Sequence, residues 1–230
     1  MTKTYDLIVI GGGTAGNGVA RMAANAGWSV ASIDSEPHGG TCALRGCDPK
    51  KMLIAVTEGV EWTENMKGKG LEAQPSVNWP DMIAFKRSFT DNMPPRIEGG
   101  LEKAGIDVLH GEARFTGPDG IELNGETLTA KHFHIATGAR PMTLNIPGEE
   151  HLTTSTEFLE LPERPDRIAF VGGGFIAMEF SHIVKRAGAS EVTVLEMMDR
   201  PLGNFDPDLV EMLVEGTEEL GIDLRTNAKV

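Results

Sequence analysis

Tyr5-Asp6-Leu7-Ile8-Val9-Ile10-Gly11-Gly12-Gly13-Thr14-Ala15-Gly16 sets an apolar run directly against a glycine turn. Tyr5 to Ile10 reads as a buried strand, because apolar residues occupy both its odd and its even positions. A helical pattern follows from Thr14 to about Ala26, with Val19, Ala20, Ala23 and Ala24 at packing positions, and Gly27 stops it. Trp28 to Ile33 reads as a second strand, ended by Asp34. The order is strand, glycine turn, helix, strand, acid.

That order belongs to a dinucleotide-binding βαβ unit. The first glycine permits a tight turn, the second lets the backbone approach a pyrophosphate, and the third lets helix and strand pack closely. The pyrophosphate sits at the helix N-terminus and the acid accepts the ribose hydroxyls. These roles fall to Gly11, Gly13, Gly16 and Asp34.

The same grammar recurs 161 residues later. Arg167 to Val171 is a strand, Gly172-Gly173-Gly174-Phe175-Ile176-Ala177 the turn, and a helix runs to about Ala187 before Gly188. Glu191 to Leu195 is the second strand, and Glu196 the acid. The acid follows the first glycine by 23 residues in one copy and 24 in the other. Here the roles fall to Gly172, Gly174, Ala177 and Glu196. The chain is therefore expected to be an α/β protein of two Rossmann-like three-layer domains, residues 1–160 and 161–230. Leu161-Pro162-Glu163-Arg164-Pro165 reads as the linker, and the second domain is expected to be truncated, since Gly221 to Val230 reads as the start of a strand.

Helices are expected from Lys50 to about Met66 and from Trp79 to about Asn92. Pro94-Pro95 interrupts the latter, and a shorter piece runs from Arg96 to Ala104. Ile106–Leu109, Ala113–Phe115, Ile121–Leu123 and Thr127–Ala130 read as short strands, and Asn124-Gly125 as a hairpin turn.

Composition narrows the partners. Thirty-four acidic against 21 basic residues leave a net charge of −13, which repels phosphate backbones and anionic headgroups. Neither nucleic acid nor a membrane is expected as a partner. The N-terminus lacks a signal peptide's apolar core, so the chain is expected to start at Met1 and to stay cytoplasmic.

Cys42 and Cys47 are the only cysteines, five residues apart, in Gly39-Gly40-Thr41-Cys42-Ala43-Leu44-Arg45-Gly46-Cys47-Asp48-Pro49-Lys50-Lys51. This segment begins five residues after Asp34 and so returns over the first nucleotide site. Two thiols on successive helical turns can exchange a disulfide if the helix is locally distorted, and Gly46 eases that distortion. Inert buried thiols are one alternative. A metal site with His38 as third ligand is another, although zinc wants four ligands and no second Cys or His pair lies nearby in sequence.

Gly-Gly-Thr-Cys-x4-Cys-x-Pro-Lys-Lys after an N-terminal dinucleotide fingerprint resembles the class I pyridine nucleotide–disulfide oxidoreductases, of glutathione reductase, dihydrolipoamide dehydrogenase and mercuric reductase type. The resemblance implies FAD at the first fingerprint and a nicotinamide nucleotide at the second. It implies a flavin-dependent reductase passing electrons from NAD(P)H through FAD to Cys42–Cys47 and on to a small-molecule or peptide disulfide. By the same resemblance Cys47 is the thiol against the flavin, forming the charge-transfer thiolate, and Cys42 the interchange thiol. Lys50 and Glu179 are the lysine–glutamate pair beside flavin N5. Thr41, Lys51 and Ala113, with Thr137 and Gly138 of Ala136-Thr137-Gly138, contact FAD, and Phe175 is the aromatic lid.

The family's catalytic His–Glu pair lies in a C-terminal dimerisation domain, expected beyond Val230, and the full-length protein is expected to be a homodimer. A catalytically incomplete FAD-binding fragment is the alternative reading. His110, His132, His134, His151 and His182 do not match the catalytic histidine and read as surface or strand residues. Pro49-Lys50-Lys51 leans toward glutathione reductase, and Arg21 falls where that enzyme places an arginine; its glutathione-contacting tyrosine has no counterpart here. Glu196 favours NADH over NADPH, since Met197 and Gly203 stand where NADPH enzymes carry arginines and only Arg200 lies near.

Overall fold

The computed structural model describes residues 3–72 and 75–230. By contacts the chain divides into two compact units, Met1–Lys50 with Arg87–Met142, and Lys51–Lys86 with Thr143–Val230. The expected division at residues 160 and 161 follows nucleotide-binding roles. Packing divides the chain differently, because residues 51–86 share a core with the later residues.

In the first unit, β1 (Lys3–Ile10), α1 (Thr14–Asn25) and β2 (Val30–Asp34) form the first βαβ unit. A π-helical turn, Thr41–Arg45, leads into α2 (Cys47–Asn65), which continues into the second unit. The chain returns to the first unit near the end of α3 (Trp79–Thr90) and continues with α4 (Met93–Glu102) and β3 (Ile106–His110). Strands β4 (Arg114–Phe115), β5 (Gly120–Leu123) and β6 (Glu126–Ile135) complete a six-stranded sheet ordered β3-β2-β1-β6-β5-β4. β3, β2, β1 and β6 run parallel, and β5 and β4 attach as an antiparallel extension. Alternate residues of β1 face opposite sides of the sheet. Leu7 and Val9 join Ala20, Val30, Leu101 and Ile106 in one core, and Ile8 joins Ile33, Ile121 and Leu128 in another. Burial on both faces explains the unbroken apolar run that opens the chain.

In the second unit a short helix α5 (Ser155–Phe158) precedes β7 (Arg167–Val171), α6 (Phe175–Arg186), β8 (Glu191–Leu195), α7 (Pro207–Glu219) and β9 (Asp223–Arg225). The three strands form a parallel sheet ordered β7-β8-β9. Leu53, Trp79, Met82 and Ile83 pack with Phe158, Met178, Phe180, Ile183 and Val194 into one core. Each such apolar side chain contributes about 1.5–3 kcal/mol by leaving water. Phe158 stacks on Phe180 with ring centroids 4.3 Å apart, and Trp79 Nε1–H donates to the Leu161 carbonyl at 2.9 Å. The wholly buried Lys86 is paired with Glu160.

Three local expectations change. Pro94 and Pro95 sit in the first turn of α4, where an absent N–H is harmless, so the helix starts at Met93 rather than after them. β6 is one ten-residue strand, paired with β5 over Glu126–Thr129 and with β1 over Leu128–Ile135, rather than the short piece Thr127–Ala130. The sequence reading does not assign α5 or α7. Thr154 and Glu157 form a capping box on α5, and Asp206 caps α7 ahead of Pro207. Among the described residues no helix is long and apolar enough to cross a membrane.

Candidate functional site

Both glycine turns are built the same way. The N–H of the first glycine donates to the carbonyl just before the acid at 2.7 Å, Gly11 to Ile33 and Gly172 to Leu195. Each middle glycine N–H donates to the acid, Gly12 to Asp34 Oδ2 at 2.7 Å and Gly173 to Glu196 Oε2 at 2.6 Å. The acid's other oxygen accepts from the N–H two residues on, Glu36 to Asp34 Oδ1 at 2.9 Å and Met198 to Glu196 Oε1 at 2.8 Å. Four backbone N–H groups therefore aim two carboxylates, leaving each acid lone pairs for hydroxyl donors.

Gly13 and Gly174 cap the N-termini of α1 and α6, and neither supplies a side-chain capping hydrogen bond. Their first-turn N–H groups and positive dipole ends thus remain available to an anion. A side chain at Gly16 would run into the Gly11 carbonyl, which fixes how closely α1 approaches the turn. In the second copy Ala177 carries a Cβ at the matching place.

The first unit adds further residues around its turn. A Cβ on Gly11 would strike the Ala136 carbonyl, and the Ala136 N–H donates to Ile10 at 2.7 Å, so Thr137 and Gly138 leave β6 directly beside the glycine turn. Gly111 N–H donates to the Asp34 carbonyl at 2.9 Å, and Ala113, two residues on, packs at the edge of a core cluster.

The cysteine segment docks onto the same turn, with backbone against backbone at Gly39 and Gly40. Gly39 N–H donates to the Gly12 carbonyl at 2.9 Å. Gly40 has φ of +63°, and a Cβ there would lie 2.6 Å from the Gly13 Cα. Thr41 begins the π-helical turn and Gly46, with φ of −152°, separates it from α2. The expected distortion is this turn. Residues five apart diverge by about 140° around an α-helix, whereas the i→i+5 repeat of a π-turn brings them near one another. Cys42 and Cys47 are both free thiols and are hydrogen-bonded to each other. That bond to Cys47, then burial, pushes the Cys42 thiol up, and a hydrogen bond from Thr14 at the start of α1 opposes the rise.

Lys50 lies in the first turns of α2, with exposed Lys51 following it. Glu179 lies on α6 and exposed Phe175 opens that helix. Two further cations, Arg21 and Arg200, bond to backbone carbonyls of their own surroundings. Arg21 Nη1–H donates to the Gly100 carbonyl at 3.0 Å, and Arg200 donates to the carbonyls of Gly203 at 2.7 Å and Phe205 at 3.3 Å.

Sequence reasoning missed one gathering. His38, Glu98 and His110 converge in the first unit although 60 and 12 residues separate them, and no local spacing signals it. His38 does not join the cysteines. Its ring faces Ser32, Glu98 and His110.

The pyridine nucleotide-disulphide oxidoreductase family matches residues 5–230. The chain is 36% identical to glutathione reductase from Burkholderia cepacia over 98% of its own length and 50% of that protein. It is 37% identical to dihydrolipoyl dehydrogenase from Thermus scotoductus over 99% of its length and 50% of that protein. Among solved structures, the Cu(II) complex of the HOCl-induced flavoprotein disulfide reductase RclA from Escherichia coli superposes with a TM-score of 0.86 at 28% identity. It is matched over 100% of this chain and 50% of that one. The chain thus spans about half the length of these relatives. Paired fingerprints, a thiol pair docked on the first of them, and a match along nearly the whole chain lead to one conclusion: the chain belongs to the pyridine nucleotide-disulphide oxidoreductases.

Proposed function

We propose that this chain supplies the FAD site, the redox thiol pair and part of the nicotinamide site of an NAD(P)H-dependent reductase for a small-molecule or peptide disulfide. The observation that carries the reading is the π-helical turn that pairs Cys42 with Cys47 and rests on the first fingerprint. In this reading residues 1–160 hold FAD and residues 161–230 begin the nicotinamide domain. The first turn fits a flavin dinucleotide, because its glycine cradle is backbone-lined and the N-terminus of α1 has no side-chain cap.

FAD, when bound, supplies the two-electron chemistry between nicotinamide and thiols. Gly13 would face its pyrophosphate, with Gly11 making the turn and Gly16 the close helix packing, Asp34 would hold its adenosine ribose, and Thr41, Lys51, Ala113, Thr137 and Gly138 its remaining edges. Gly172, Gly174, Ala177 and Glu196 would hold the nicotinamide nucleotide behind Phe175. Lys50 and Glu179 would set the charge where hydride arrives.

The thiol chemistry follows from the pair. Cys42, once deprotonated, attacks one sulfur of the substrate disulfide; a Cys42–substrate bond forms and the second sulfur leaves as a thiolate. Cys47 then attacks the Cys42 sulfur, the substrate's first sulfur leaves, and a Cys42–Cys47 disulfide remains. Two electrons and two protons pass from the dithiol to the substrate. Because Cys47 and burial hold the Cys42 proton, the first step needs a base.

Thiol titration of the intact flavin-loaded protein before and after NADH tests this. A difference of two thiols, abolished in Cys42→Ser, is expected; equal counts would overturn it. Glutathione disulfide is the expected substrate, on the strength of Pro49-Lys50-Lys51, and turnover of lipoamide in its place would redirect the assignment.

NADH is proposed over NADPH. Glu196 is held by two backbone N–H groups facing the turn, and Arg200 commits two of its five N–H donors to its own loop. A tenfold higher kcat/KM with NADPH would refute this.

A further inference from the structure

Three side chains from separate segments of the first unit meet away from the thiols: His38 from the loop after β2, Glu98 from α4, and His110 at the end of β3. Their nitrogen and oxygen atoms lie within 4.8 Å of one another. Glu98 Oε1 stands 3.5 Å from His38 Nδ1 and 3.4 Å from His110 Nε2. Imidazole nitrogens and carboxylate oxygens bind zinc-type ions at about 2.0–2.2 Å, so neighbouring ligands on a tetrahedral centre stand about 3.4 Å apart. Both separations match that edge.

His38 carries the inference. The side chain is wholly buried and Nδ1 has no hydrogen-bond partner. Its Nε2 lies 3.2 Å from the hydroxyl of Ser32, which is buried as well. In the tautomer that a cation at Nδ1 requires, with Nε2–H donating to Ser32, Nδ1 turns a lone pair toward the Glu98 carboxylate. An unpaired acceptor facing an anion in a dry place is repulsive, and a cation between them removes the repulsion. Ser32 then does what outer partners do at metal-bound histidines, fixing the tautomer and the ring's direction.

We propose that His38 Nδ1, Glu98 and His110 Nε2 form a site for one divalent first-row transition ion of the zinc type, with solvent in the fourth position beside the exposed His110. Two imidazoles and one carboxylate suit zinc or cobalt, whereas magnesium and calcium want oxygen ligands throughout. His110 pairs with Asp34 in the register of β2 and β3, so the ion clamps the strand end that carries the first fingerprint's acid. The site does not depend on the redox reading.

Titration calorimetry with Zn(II) tests it, on chelator-stripped, flavin-loaded intact protein carrying Cys42→Ser and Cys47→Ser so that thiols contribute nothing. One equivalent is expected to bind, at least tenfold weaker after His110→Ala and after the near-isosteric Glu98→Gln. Zn(II) should raise the melting midpoint of the parent and leave that of His110→Ala unmoved. No binding, affinity unchanged by both substitutions, or binding only when the cysteines are present would each overturn the proposal.

Discussion

Gly40 shows how a single residue sets the site. It adopts a left-handed backbone, and its absent side chain leaves room for Gly13 against it. Gly40→Ala is expected to lose about 1–3 kcal/mol of stability through strain at this φ and to reduce the flavin content of the purified protein. Urea unfolding and the ratio of flavin to protein absorbance check both. Cys42 is the second such residue. Iodoacetamide labelling of the reduced protein, followed at Cys42 against pH, should give a midpoint above the ordinary thiol range. Cys47→Ala should bring that midpoint down, since the hydrogen bond that the Cys42 thiol donates to Cys47 is the first cause of the rise. An unmoved midpoint would assign the rise to burial alone. The glycines, the acids and both cysteines are legible in the sequence because fixed short spacings define their chemistry. His38, Glu98 and His110 are not, because only the folding of β2, α4 and β3 brings them together.

Among the elements, the two βαβ units were readable from apolar runs, glycines and acids, and their turns repeat bond for bond. The π-helical turn was readable only as a need for distortion, since Gly46 marks a break without stating its geometry. α7 escaped because exposed Leu209, Met212 and Leu213 share it with five acids, which blurs the apolar stripe that marks an amphipathic helix. α6 holds an element whose behaviour depends on pH. His182 Nε2 is 2.8 Å from the Thr217 hydroxyl of α7, its Nδ1 is 2.9 Å from Arg186, and Arg186 is paired with Glu61 at 2.7 Å. Burial, then the Arg186 charge, lowers His182 from its ordinary 6.5 to about 4, against the opposing pull of Glu61. The unfolded chain therefore takes up a proton between those values that the fold refuses. His182 leaves stability untouched above pH 6.5 and lowers it progressively as pH falls toward 4. Urea midpoints at pH 7 and pH 5 should differ less in His182→Gln than in the parent; equal differences would sink the assignment.

For the whole molecule, the partition of the chain was the least legible feature. A linker rich in proline at residues 161–165 suggests a clean cut, yet Leu53, Trp79, Met82 and Ile83 fill the same core as Phe158, Phe180 and Val194. No local pattern reports a partner more than seventy residues away. A truncated chain of residues 143–230 is therefore expected to expose apolar surface, bind a hydrophobic dye and aggregate. Co-expression with a peptide of residues 51–86 should restore solubility; a soluble, dye-silent 143–230 would contradict the shared core. The interleaving also sets a schedule for synthesis. Ribosomes add about 5–20 residues per second, so Ile83 on α3 waits roughly 5–20 s for β8 to be made. β1 likewise waits for its partner β6, whose residues lie some 125 positions later in the register. During that interval the nascent chain displays a bare strand edge and an uncovered tryptophan, the surfaces that holdase chaperones bind, and a slowed ribosome would lengthen the exposure.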